Sequence, residues 1–166
     1  MKRSGLALLA LLALPAPGLA QDRAVLPAGA SIRTDLGGGG TLGSGSSYTP
    51  SGVFEGEIAG GYDVWNGVTP QLALVLGMAP GSYAGLRLGV EVPLPAILAV
   101  PVYARAALDL SSSRGFMRAR WLLAGAGVEM RLTDLVGAFA EVDLAVPLTT
   151  GAGLPLLARA GTTFRF

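Results

Sequence analysis

The stretch ARAGTTFRF, residues 158–166, decides the fold. Ala158, Ala160, Thr162, Phe164 and Phe166 share one parity, with Arg159 and Arg165 on the other. Period two is the signature of a β-strand with two unlike faces. Soluble chains commonly end in polar residues that fray. A last residue that is aromatic and in phase with its strand predicts that residue 166 lies inside a sheet.

The same sorting recurs upstream. In residues 53–64, Phe54, Ile58, Tyr62 and Val64 oppose Glu55, Glu57 and Asp63. Leu86, Leu88, Val90 and Val92 oppose Arg87 and Glu91. Val102, Ala104, Ala106 and Leu108 oppose Tyr103, Arg105 and Asp109. Ala138, Ala140, Val142, Leu144 and Val146 oppose Glu141 and Asp143. Three further strands are less regular. Ile32, Thr34 and Leu36 oppose Arg33 and Asp35 before the strand dissolves into Gly37 to Gly40. Residues 71–77 are apolar on both faces, with Leu72, Leu74 and Leu76 on the expected outer one. Residues 118–132 change phase, since Arg118 and Arg120 are even while Glu129 and Arg131 are odd. A one-residue bulge near Gly125 to Gly127 would restore the facing. Alternatively, Arg118 and Arg120 lie above a bilayer, where facing is unconstrained.

Composition explains why the apolar face dominates. Hydrophobic residues make up 51% of the 166-residue chain and charged residues 14%, against about 25% in ordinary soluble domains. After residue 20 no apolar run is long enough for a helical span of about 20 residues. An apolar chain without such a helix can still cross a bilayer if its lipid-facing residues alternate with polar ones in a closed sheet. Residues 1–20 read as a signal peptide: Lys2 and Arg3, an apolar run from Leu6 to Leu14, then Pro15, Pro17 and a small-residue site before Gln21. The mature chain is expected to begin at Gln21, with a short tail over 21–28 and the barrel over 29–166. Mass spectrometry of mature protein that still carries residues 1–20 would overturn this expectation.

The connections alternate in character. Asn66-Gly67 is a strong two-residue hairpin signal. Residues 93–97 and 133–136 are read as the other turns of that set. Residues 43–52, 79–82, 111–115 and 147–153 are rich in Gly, Ser, Thr and Pro and form the opposite set. With the N-terminus in the periplasm, the first set is periplasmic and the second extracellular. Eight strands of about ten residues fit the length. The expected fold is all-β: a closed, antiparallel, eight-stranded up-and-down transmembrane barrel. The final strand pairs with the first and removes both edges.

With its signal peptide, repeated hairpins, and Phe164 and Phe166 in phase on the last strand, the chain resembles the small outer-membrane barrels of the OmpA and OmpX kind. The resemblance implies bacterial outer-membrane localisation after export through the inner membrane, with outer-membrane lipids as surroundings. It also implies that the barrel-assembly machinery reads Phe164 and Phe166. The connections are shorter than in adhesin-like members, and the aromatic girdle is sparse, with Trp65, Trp121, Tyr62 and Tyr83 as its candidates.

The inward charges are the candidate site: Glu55, Glu57, Asp63, Arg87, Glu91, Arg105, Asp109, Glu129, Arg131, Glu141, Asp143, Arg159 and Arg165. An eight-stranded interior is just wide enough to be filled by side chains. Charges there must pair, and arginine's planar fork suits carboxylates. The expectation is a lumen plugged by such pairs, with a structural or surface-interaction role. A narrow ion or small-solute channel is the first alternative, and a soluble exported lipocalin-like barrel the second. Catalysis is not expected. The chain has no His and no Cys, and its one Lys is Lys2 in the signal segment. Paired carboxylates such as Glu55 and Glu57 are what any lumen-facing strand produces. The glycine runs near Gly37 and Gly125 lack the strand–loop–helix context of a phosphate loop. No cofactor, metal or nucleic acid is expected, and the barrel is expected to be monomeric.

Overall fold

The computed structural model describes residues 29–42, 52–79, 82–97, 100–113, 116–148 and 154–166. Within them run eight strands: β1 (Ala30–Leu42), β2 (Val53–Tyr62), β3 (Thr69–Ala79), β4 (Tyr83–Ile97), β5 (Val100–Ser113), β6 (Phe116–Arg131), β7 (Val136–Pro147) and β8 (Leu154–Arg165). Each is antiparallel to its chain neighbours, and β1 pairs with β8 to close the barrel. The seam runs from Ser31 opposite Arg165 to Leu42 opposite Leu154. At its end the Phe166 amide donates to the Ala30 carbonyl at 2.9 Å. Closure leaves neither β1 nor β8 with an open edge, which a lipid environment demands. Residues 1–28, read from sequence as a signal segment and tail, and most of the second set of connections lie outside the described residues.

Even-numbered residues pair with even-numbered ones in nearly every hairpin, as in Ile58 opposite Leu74 and Leu72 opposite Leu88. One parity therefore faces outward around almost the whole barrel. Leu36, Ile58, Leu72, Leu74, Leu76, Leu88 and Val142 are exposed. Val75, Ala73, Arg87, Glu55 and Asp143 are buried. In an aqueous protein this would be inverted; in a bilayer it is the facing the solvent requires.

Inward positions alternate large and small. Gly125 lies between Arg105 and Asp143, Gly127 between Tyr103 and Glu141, and Gly37 between Glu55 and Arg159. A Cβ on Gly127 would strike the Tyr103 ring, and one on Gly125 the Asp143 carboxylate. These glycines are spaces for their neighbours' side chains, which is how a narrow barrel accommodates so many long polar groups. Within the Gly37 to Gly40 run, Gly37 makes such room for the Arg159 side chain, and Gly39 lets the β8 backbone at Leu156 come close. The strand does not dissolve after Leu36 but continues to Leu42, paired with β8 throughout.

Three local expectations are corrected. The bulge lies at Arg120, where Asp109 opposes Trp121 but Leu110 opposes Ala119. Gly125 and Gly127 stay in register because their missing side chains make the room just described. Residues 93–97 are not a turn. β4 extends to Ile97, with an irregularity between Leu94 and Ile97 that spans Pro95, where the interrupted ladder does not need the amide that this proline lacks. β5 likewise runs to Ser113 rather than turning at Ser111.

The Asn66-Gly67 turn is present, with φ of 47° and 80°. Two residues at positive φ are what the tight right-twisted hairpin needs. The Val68 amide donates to the Trp65 carbonyl at 2.8 Å. A Cβ on Gly67 would also sit 2.9 Å from Pro93 Cγ. Gly67→Val is expected to lower stability by about 1–3 kcal/mol, measured by denaturant unfolding in micelles. An unchanged midpoint would show that this turn does not constrain the hairpin.

Candidate functional site: the interior charge network

Four arginines and seven carboxylates meet in the lumen: Arg33, Arg87, Arg105 and Arg159 with Asp35, Glu55, Glu57, Glu91, Asp109, Glu141 and Asp143. Arg159 on β8 is the hub. Its Nη1 lies 2.7 Å from Glu57 Oε2 and 3.8 Å from Asp35 Oδ1. Its Nε lies 3.1 Å from Asp143 Oδ2 and 3.8 Å from Glu141 Oε1. Its Nη2 also meets Glu55. Arg87 Nη2 donates to Glu55 and Asp109, both at 2.9 Å, and Nη1 donates to Glu57. Arg105 donates to Glu57 and, from Nη1 at 2.5 Å, to Glu141 Oε1.

Two tyrosines complete the arrangement. The Tyr103 hydroxyl donates to Glu141 Oε2 at 2.8 Å and accepts from Arg33 Nη2 at 2.9 Å. The Arg33 guanidinium also pairs with Glu91 and Glu141 and stacks over the Phe139 ring at 3.7 Å. The Tyr83 hydroxyl donates to Glu55 Oε2 at 2.5 Å. Toward the end opposite the chain termini, Ala107, Leu123, Ala145 and Leu157 form an apolar cluster inside the barrel, with Val53 and Trp121 packed against it.

The structure sorts the residues singled out from sequence. Glu55, Glu57, Arg87, Glu91, Arg105, Asp109, Glu141, Asp143 and Arg159 all join the network. Arg165 and Glu129 form a separate pair near the chain termini. Asp63 stands apart in the hairpin approach, where it accepts a hydrogen bond from the Thr69 hydroxyl at 3.3 Å. Arg131 is exposed at the last position of β6, opposite Gly137, and has no ion pair among the described residues.

Sequence reasoning left Arg33 and Asp35 out of the set, although their odd parity in β1 was the available signal. Tyr83 is not a girdle residue. It faces inward onto Glu55, and Trp121 packs partly against the interior cluster. Of the aromatic candidates, Tyr62 and Trp65 remain exposed near the chain termini. The soluble lipocalin-like alternative requires apolar residues inside and charge outside, the reverse of the facing observed.

No protein-family model matches the chain, and no curated protein matches it in sequence. Solved structures do match its shape. A de novo designed transmembrane β-barrel aligns with a TM-score of 0.59 at 13% identity, covering 84% of this chain and 97% of that one. The N-terminal β-barrel domain of Pseudomonas aeruginosa OprF aligns with a TM-score of 0.54 at 18% identity, covering 82% of this chain and 97% of that one. At these identities the likeness is one of fold. Together with the closed eight-stranded sheet, it gives this chain the fold of the small outer-membrane barrels of the OmpA and OmpX kind.

Proposed function

We propose that this protein is a non-catalytic barrel of the bacterial outer membrane whose lumen is closed by its arginine–carboxylate network. In this reading its role is structural or lies in interactions at the cell surface. The observation that carries the reading is the reach of Arg105 on β5, whose guanidinium contacts Glu57 on β2 and Glu141 on β7 at once. A side chain tied across the cross-section in this way leaves little room for solute in an eight-stranded interior. Outer-membrane lipids surround the barrel as a monomer, its termini face the periplasm, and the barrel-assembly machinery inserts it.

The test is electrical. Purified protein refolded into planar bilayers is expected to give no discrete conductance steps. Reproducible steps in the parent protein would overturn the closed lumen and favour the narrow channel. The seven carboxylates against four guanidiniums would then predict selectivity for cations.

A further inference from the structure

Among the described residues, the rim of the barrel opposite the chain termini carries arginines and no acid. Arg118 and Arg120 on β6 are its charged residues among those described, and neither pairs with a carboxylate there. The connecting segments 43–51, 80–81, 114–115 and 149–153 contain no Asp or Glu. The nearest carboxylates inside, Glu55 and Asp109, are both held by Arg87, and the Tyr83 hydroxyl covers Glu55. Arg120 is half-buried at the bulge, and its guanidinium lies 5.3 Å from the Tyr83 ring centroid and 5.8 Å from that of Trp121. Such stacking fixes the plane of a guanidinium and leaves its N–H groups free for an anion.

A second feature points the same way. Ser111 lies opposite Arg118 across β5 and β6. It faces the lumen at 1% exposure, and its hydroxyl makes no hydrogen bond. A buried unpaired hydroxyl is costly, and this one stands in the ladder opposite Arg118, beside the bulge that carries Arg120. Two guanidiniums and one hydroxyl supply a double positive charge and several donors. That matches a phosphate dianion with three terminal oxygens better than a carboxylate.

We propose that this mouth, formed by Arg118, Arg120 and Ser111, is a binding site for a phosphate or phosphomonoester group. The inference goes beyond the proposed role and rests only on the barrel fold. The group can arrive as a free solute or on a phosphorylated glycolipid, and the test separates the two.

Refolded protein in zwitterionic nanodiscs is titrated with inorganic phosphate and, in parallel, with a phosphorylated glycolipid and its dephosphorylated counterpart, with acetate as the carboxylate control. Binding of at least one phosphate-bearing probe is expected, stronger than acetate or the dephosphorylated lipid and weakened by salt. Phosphate alone identifies a solute site, and the glycolipid alone a lipid site. The double variant R118Q/R120Q is expected to weaken binding at least about tenfold. Ser111→Ala should weaken it without destabilising the barrel, since it removes a hydroxyl that has no partner. Heat-modifiable gel mobility, kept in every variant, shows that the barrel remains folded. A parent protein lacking that mobility would refute the barrel itself, whereas a folded parent that binds neither probe refutes the site. Binding that is unchanged in R118Q/R120Q also overturns the proposal.

Discussion

Arg159→Ala is expected to be the most damaging single substitution in the lumen, lowering stability by about 3–5 kcal/mol. The loss does not come from a single ion pair. Arg159 is fully buried and contacts Asp35, Glu55, Glu57, Glu141 and Asp143. Without it, the same carboxylates are left with fewer cations in a space that water cannot easily enter. Removing one partner of a buried pair costs more than replacing both, because the remaining charge keeps its desolvation penalty.

The decisive measurement is therefore a double-mutant cycle. Arg105 and Glu141 suit it, joined at 2.5 Å between β5 and β7. Arg105→Met and Glu141→Met are each expected to destabilise, and the pair together by less than their sum. The expected coupling lies within about 0.5–3 kcal/mol. Denaturant unfolding of the four proteins in one detergent provides the numbers. Strict additivity would mean that these groups are solvated separately and that the network is not a unit.

A charge placed on the outer face should also be severe. Leu88 on β4 and Val142 on β7 are 48% and 50% exposed, both on the even, outward parity. In water such exposure would make them tolerant of almost any polar residue. In a bilayer, Leu88→Arg and Val142→Arg are each expected to cost about 2–4 kcal/mol at mid-depth and much less near an interface. The comparison that isolates the lipid is the same arginine at Met130, exposed at the next-to-last position of β6. Refolding into lipid vesicles should show a larger loss for the first two than for Met130→Arg. Equal stability of all three with the parent would mean that this face does not contact hydrocarbon.

The pairing partners within the lumen illustrate a limit of sequence reasoning. Parity makes Glu91 and Asp109 natural partners for Arg105, and Glu91 does stand opposite Arg105 across β4 and β5. Yet Glu91 pairs with Arg33, Asp109 with Arg87, and Arg105 reaches Glu57 and Glu141. Long side chains entering a narrow closed lumen converge on its axis. They meet groups from non-adjacent strands as readily as their ladder neighbours.

The sequence by itself determined the facing of this protein. Period two is local, so Glu55, Arg87, Arg105, Asp109, Glu141, Asp143 and Arg159 could be placed inside from their immediate neighbours alone. The number of strands followed from the same pattern. The Asn66-Gly67 hairpin followed from the two positive φ angles those residues accept. Tertiary structure decided which charges meet, because the partners lie far apart in the chain: Arg33 and Glu141 are separated by 108 positions, Arg159 and Glu57 by 102. Only the closed register brings them together. The inward facing of Tyr83, by contrast, was legible in the odd parity it shares with Arg87 and Glu91 on β4. Tertiary structure also decided the bulge at Arg120, which depends on which space the opposite wall leaves open, and no local pattern records that.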